Sequence, residues 1–367
     1  MISPESRTKE WISELSQKYD YPNVVLIEKT IRAFSLLEAL ARSGLPFTFK
    51  GGSCLMLHFN TEKRLSIDID IICPPGTDIE KYWEQYAAEY GFQKPQLIER
   101  KQITDVPKKH AKYNYQVSCT DGGTEKILLD VLLEEQPYNN IEQLAIKSPF
   151  LKNEGPDILV NVPSKPDILG DKLTAFAPNT TGIPYEKTNS KGEKIDCSLE
   201  IIKQMFDVAC LIDSLDDFSK VLEVYKKNVI VECSYRNLAR TTYIDVLNDT
   251  IGTSLCLACG GYVEKDSFIR LQNGVKKFKG FIYDKTPYTI EKAITDSSKV
   301  AYLCSSFIRD QTALEKFDSS KTANLKDIQI EADLESPFAQ WTKLNRLKRT
   351  NIEAFFYWFK AFELLKN

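Results

Sequence analysis

At 367 residues the chain exceeds what one typical core supports, which predicts two domains or one domain with a large helical extension. Its apolar fraction of 43% and charged fraction of 27% are ordinary for a soluble globular protein. No apolar run reaches bilayer length, which excludes membrane-spanning helices. A net charge of −3 argues against wholesale coating of nucleic acid and leaves only a locally gripped RNA.

Residues 1–7 lack the basic start, apolar centre and small-residue cleavage site of a secretory signal, so cytoplasmic residence is expected. Ile27, Ile31, Phe34, Leu37 and Leu40 recur at helical spacing, and Gly44 follows where a left-handed cap is wanted. Phe47-Thr48-Phe49-Lys50 alternates as a strand, meets Gly51-Gly52-Ser53, and passes into a short helix through Phe59. Leu65 to Ile71 alternates strictly, placing Ser66, Asp68 and Asp70 on one face, and Pro74-Pro75-Gly76 ends that strand. Ile79, Trp83, Tyr86, Ala87 and Tyr90 predict a further helix closed by Gly91.

Strand-like runs over 112–119 and 125–134 flank Thr120-Asp121-Gly122-Gly123-Thr124 and predict an antiparallel hairpin. A short strand follows over 158–162. After Pro163 the pattern turns helical, with Ile168, Leu169, Leu173 and Phe176 as a stripe. A boundary here divides the chain into residues 1–165 and 166–367. The polar stretch 178–198 reads either as a lid or binding loop or as a plain surface insertion. Beyond it the chain reads as mostly helical, broken at Gly260-Gly261, Gly280 and Pro287. The nine cysteines lie in apolar contexts and read as reduced core residues. Cys256-x-x-Cys259 lacks a second pair for zinc, and the chain has only two histidines, His58 and His110.

Three acids stand out chemically. Asp68 and Asp70 project from one face of a strand, with a separation suited to a hard divalent cation, although alternation on a half-exposed strand is also an ordinary pattern. Asp130 interrupts Ile127-Leu128-Leu129-Asp130-Val131-Leu132-Leu133, a run apolar on both faces, where a buried carboxylate is costly without compensation. A metal shared with Asp68 and Asp70 supplies that compensation and fits in-line phosphoryl displacement; Mg²⁺ is expected, with Mn²⁺ as the alternative.

Gly51 and Gly52 let backbone N–H groups approach phosphate closely, and Ser53 adds a hydroxyl. Arg64 is either a phosphate contact or a solvated arginine. Lys172 lies within the buried stripe of its helix, its ammonium emerging either at a cleft or into water. Lys203 and Asp207 stand four apart on one helix face, which a surface ion pair explains equally well. Lys276, Lys277 and Lys279 form a basic run that reads as an RNA contact or as a solvated cluster.

Taken together, Phe49-Lys50-Gly51-Gly52-Ser53 and Arg64-Leu65-Ser66-Ile67-Asp68-Ile69-Asp70 resemble the AbiEii/AbiGii family of nucleotidyltransferase toxins. Asp130 fills the place of the family's third strand acid, Asp171-Lys172-Leu173 its helical motif, and Lys203-Gln204-Met205-Phe206-Asp207 its final basic-and-acidic motif. The chain departs from the pattern in a longer segment before Lys203, and in having Lys203 where many relatives carry an Arg-Asp pair. The resemblance covers roughly residues 45 to 215.

It implies an α/β fold with a polymerase-beta-like nucleotidyltransferase lobe built on a mixed sheet, a mostly helical C-terminal lobe, and an active cleft between them. It also implies the toxin of a bacterial toxin–antitoxin or phage-defence pair, with a cognate antitoxin as partner. On this reading the chain moves a nucleoside monophosphate from a triphosphate to a hydroxyl acceptor, a tRNA end being favoured. Asp68, Asp70 and Asp130 hold metal; Gly51, Gly52, Ser53, Arg64, Ser66 and Lys203 serve the nucleotide; Lys172 and Asp207 shape the cleft. The rivals are an Asp-x-Asp glycosyltransferase, disfavoured by the glycine turn and Asp130, and a non-catalytic nucleotide-binding module, disfavoured by the intact acids.

Overall fold

The computed structural model describes residues 1–59, 63–82, 84–97, 108–120, 122–189, 191–283 and 286–366. It divides into two compact units, Met1–Ser164 with Gly280–Pro287, and Lys165–Lys279 with Tyr288–Asn367. Gly280–Pro287 returns to the first unit from beyond residue 165. The cause is tertiary. Leu65 N–H donates to the Phe281 carbonyl at 2.8 Å, and the Tyr283 ring packs edge-on against Tyr19 and Phe150.

In the first unit, α1 (Lys9–Tyr19) and α2 (Val24–Arg42) precede β1 (Thr48–Lys50) and α3 (Gly51–Phe59). Asn23 caps α2 by accepting from Leu26 N–H, and the chain leaves the helix through Gly44 at φ 78°, as its sequence expects. The two buried acids of α2 are satisfied rather than stranded. Glu28 accepts from Ser118 and Cys119 N–H, and Glu38 accepts from Ile2 N–H and the Tyr90 hydroxyl, which offsets the desolvation of both carboxylates.

The remaining strands are β2 (Ile69–Cys73), β3 (Gln96–Leu97), β4 (Lys108–Gln116), β5 (Thr124–Leu133), β6 (Ile141–Ala145) and β7 (Leu159–Pro163). They form a mixed seven-stranded sheet in the order β3-β4-β5-β2-β1-β7-β6. β2 runs parallel to β5 and antiparallel to β1, while β4 and β5 make the expected hairpin. Its turn holds Gly122 and Gly123 at φ 120°; Asp121 lies outside the described residues.

One face of this sheet is sealed. The paired residues Ala111, Leu129 and Ile69 are fully buried, and α2 packs on β2 and β5. The opposite face is partly open, and it carries the acids.

Two expectations fail here. Residues 79–90 form two 3-10 turns, Ile79–Lys81 and Ala87–Tyr90, rather than an amphipathic helix. The cause is tertiary anchoring of Tyr90, whose hydroxyl bonds Glu38 and Arg42 and whose carbonyl accepts from Arg32. Trp83, counted in that stripe, lies outside the described residues. The second concerns the Asp-x-Asp strand, which begins only at Ile69; residues 64–68 precede the ladder.

The second unit comprises α4 (Lys165–Ala175), β8 (Glu186–Thr188), β9 (Lys194–Asp196), α5 (Ser198–Asp213), α6 (Ser219–Tyr235), α7 (Tyr243–Ala258), α8 (Lys265–Phe278), α9 (Ile290–Ile308), α10 (Leu347–Thr350) and α11 (Ile352–Leu365). α4 packs against α5 and α6, and α9 against α7 and α11. The polar stretch 178–198 contains regular structure. β8 and β9 pair antiparallel, with Glu186 bridged to Lys194 and Arg270 and Asp196 to Lys277. Cys256 and Cys259 are buried free thiols, raised to about 12 and about 11 chiefly by desolvation, as befits core cysteines. Among the described residues no helix is long and apolar enough to cross a membrane.

Candidate functional site

The site grows from strand register. Lys50 of β1 pairs with Asp70 of β2, Asp70 with Asp130 of β5, and Asp130 with His110 of β4. Directly paired residues project from the same face, so the four side chains form one row across the partly open face. The two acids stand side by side, one strand spacing apart, with Lys50 and His110 at the ends. Asp68 precedes β2 by one residue and is exposed. The Ser53 hydroxyl donates to its carbonyl at 2.6 Å, tying the first turn of α3 to the Asp-x-Asp segment.

The glycine turn is shaped against these acids. Gly51 adopts φ +80°, and a Cβ there would overlap the Asp70 carboxylate. A Cβ on Gly52 would stand 2.5 Å from Arg64 Nη2 and 2.9 Å from Ser66 Oγ. Only glycine permits either approach. A carboxylate, a guanidinium and a hydroxyl thus pack directly against the glycine backbone at the start of α3, groups of the kind that handle metal and phosphate.

Arg64 is buried and donates to the Leu65 carbonyl at 3.1 Å, so it is not the solvated arginine that composition alone favours. The burial expected of Asp130 needs the opposite correction. Only one face of β5 is sealed, by Ile127, Leu129 and Val131. The Asp130 side chain, on the other face, is 38% exposed and accepts from His110 Nδ1 at 2.6 Å. Its charge is therefore solvated and hydrogen-bonded without any cation.

Among the described residues no group of three Asp, Glu, His or Cys side chains is gathered closely enough to hold a metal ion, so Asp68, Asp70 and Asp130 do not by themselves form the three-acid metal set expected of them. Hard carboxylate oxygens on an open face, beside a glycine turn, do fit Mg²⁺ or Mn²⁺, since Mg²⁺ is commonly held by one or two carboxylates together with substrate phosphates.

In the second unit, Lys172 of α4 and Asp207 of α5 form an ion pair at 2.8 Å, with Gln204 Oε1 accepting from the same ammonium at 3.1 Å. Both charged side chains are buried. Asp207 is therefore not the outer member of a surface pair. Lys203 is half-buried on the same helix. Lys277 of the basic run is engaged by Asp196.

Sequence reasoning missed the ends of the acid row. In the sequence Lys50 stands out only as part of the glycine motif; its Nζ lies 5.9 Å from the Tyr138 ring centroid. His110 falls outside the strand that the sequence predicts from residue 112. The alternation of Ala111, Tyr113 and Tyr115 extends one residue further back and would have set His110 on the opposite face.

A mixed sheet bearing adjacent aspartates beside a glycine turn, followed by a helical unit, is the architecture of a nucleotidyltransferase lobe with a helical C-terminal part. Residues 35–245 match the family model described as nucleotidyl transferase AbiEii toxin, type IV TA system. The match spans more than half of the chain, including the glycine turn, the three aspartates and the Lys172, Lys203 and Asp207 positions, and the chain belongs to this family of nucleotidyltransferase toxins of type IV toxin–antitoxin systems. No curated protein matches it.

Proposed function

We propose that the chain binds a ribonucleoside triphosphate with Mg²⁺, or Mn²⁺ in its place, and transfers the nucleoside monophosphate to a hydroxyl of RNA, with a tRNA end as the favoured acceptor. The acceptor oxygen attacks the α-phosphorus, the bond to the bridging oxygen breaks, and pyrophosphate leaves. The observation that carries the reading is the direct pairing of Asp70 with Asp130, beside a glycine whose missing side chain makes room at the Asp70 carboxylate.

Asp68, Asp70 and Asp130 hold the divalent cation, which when bound neutralises the triphosphate and lowers the cost of deprotonating the acceptor. Asp130 takes up the acceptor proton. Gly51, Gly52 and Ser53 present backbone and hydroxyl donors to the phosphates, and Arg64 and Ser66 flank the same turn. Lys203, Lys172 and Asp207, on α4 and α5, keep the roles that the family resemblance implies. The protein acts in the cytoplasm as the toxin of a phage-defence pair restrained by a cognate antitoxin.

The test is incubation of the full chain with each labelled nucleoside triphosphate, Mg²⁺ or Mn²⁺, and total RNA. Labelled RNA is expected from the wild type and none from Asp68→Asn or Asp70→Asn, both variants melting within a few degrees of wild type. Labelling only from a nucleotide sugar indicates a glycosyltransferase, and binding without product indicates a non-catalytic module. Transfer by both variants removes the two acids from the site.

A further inference from the structure

We infer that His110 is a positioning residue for Asp130, holding one oxygen of that carboxylate so that the other is presented to a divalent cation; this rests on the nucleotidyltransferase reading above. The side chain of Asp130 is 38% exposed, and the terminal torsion of an aspartate is broad and two-fold. Left alone, such a carboxylate samples many orientations. Nδ1 of His110 lies 2.6 Å from Oδ1, and a carboxylate only accepts, so Nδ1 carries the proton and donates. A bond of that length to an ionised acceptor is strong enough to select one orientation.

The ring itself is held. On the partly open face of β4, Lys112 and Asn114 are half-buried and Gln116 is exposed, whereas His110 is buried. Direct pairing of His110 with Asp130 and of Asp130 with Asp70 then sets the fixed carboxylate beside the other acid of the row. Hydrogen bonds that orient ligating carboxylates are worth about 10- to 100-fold in metal affinity.

The test is Mn²⁺ binding to the full chain, followed by the electron paramagnetic resonance of free Mn²⁺, with and without inorganic tripolyphosphate. His110→Phe keeps a ring and removes the donor. His110→Gln places its amide at the wrong ring position and serves if the Phe variant fails to fold. His110→Asn restores a donor near Nδ1. The Phe and Gln variants are expected to weaken Mn²⁺ binding about tenfold or more while melting near wild type, with Asn within about threefold of wild type. Transfer, where measured, should need more metal in the Phe variant yet recover most of its kcat at saturation.

Wild-type Mn²⁺ affinity in a folded Phe or Gln variant overturns the inference, as does equal weakening in Asn and Phe. Either result, alongside wild-type nucleotide transfer, leaves the proposed function standing. A wild type that binds no Mn²⁺ with or without tripolyphosphate overturns both.

Discussion

Lys172 Nζ lies 2.8 Å from Asp207 Oδ2, and the two side chains are only 7% and 3% exposed. Removing one partner from so dry a pair leaves an uncompensated charge, whereas removing both leaves a cavity that apolar atoms can fill. Lys172→Met alone should cost about 3–5 kcal/mol, and Lys172→Met with Asp207→Leu should recover most of it. Urea denaturation of the three proteins checks this. A single substitution costing under about 1 kcal/mol would show a hydrated pair. If the double variant folds as wild type yet fails to transfer nucleotide, the pair serves the reaction rather than the fold.

The two glycines of the turn should separate stability from binding. Gly51 sits at φ +80° against Asp70, so Gly51→Ala should cost about 1–2 kcal/mol through its left-handed backbone and displace the carboxylate. No positive φ constrains Gly52, and the nearest atom is the end of the Arg64 side chain. Gly52→Ala should therefore cost less than Gly51→Ala, its gain in helix propensity set against displacement of the buried Arg64 guanidinium and the Ser66 hydroxyl. It should still raise the triphosphate KM by about tenfold or more, as expected for a lost charge-assisted contact. Thermal melts and initial rates on each variant decide the matter, and a Gly52→Ala enzyme with unchanged KM removes this turn from phosphate binding.

Asp130→Asn tests a revised sign. A buried, crowded carboxylate would gain stability on neutralisation, which is what the sequence run around Asp130 suggests. In the structure two effects oppose each other. Asparagine relieves repulsion from the directly paired Asp70 but weakens the acceptor for His110. Apo stability should stay within about 1 kcal/mol of wild type, while transfer falls by about a hundredfold or more. A loss of several kcal/mol with transfer intact would make Asp130 a structural acceptor only.

Local signals carried the part of the fold that was legible. The strand, glycine turn and helix at 48–59, the Asp-x-Asp segment and the β4–β5 hairpin all announce themselves through period-2 alternation and glycine. Signals that depend on distant partners were silent. β6 pairs with β7 at the sheet edge and shows no alternation, because its first three residues are exposed. Tyr90 looks helical until Glu38 and Arg42 are brought to it. Likewise the acid triplet was legible as composition, but the Lys50-Asp70-Asp130-His110 row is a property of register across four strands, which no single segment encodes. The Lys172–Asp207 pair was half legible, each residue read correctly as lying on a helix face but not as the other's partner.

A further expectation concerns the pH dependence of the helical unit. Asp296 on α9 is raised to about 6 from an ordinary 3.8, chiefly by burial. Tyr288 donates to its Oδ2 at 2.7 Å and Lys299 favours its charge, while Asp213 and Glu353 disfavour it. A carboxyl whose folded pKa lies above its unfolded one binds its proton more tightly in the folded state, so ionisation destabilises the fold. The penalty is absent below about pH 4, grows as pH rises through the interval to about 6, and is constant above it, reaching an order of about 3 kcal/mol for a shift of this size. Lys299 is itself shifted upward by Asp213 against its own desolvation, but its window opens only as alkaline pH deprotonates the unfolded lysine, well outside this range. Asp296→Asn keeps an acceptor for Tyr288 and removes the titration. The stability difference, variant minus wild type, should be positive and flat above pH 6 and should decline steadily to near zero by pH 4. Urea unfolding of both proteins across pH 4–8 measures it, and the subtraction cancels the other carboxylates. A difference that does not change with pH would show that Asp296 titrates alike in the folded and unfolded chain.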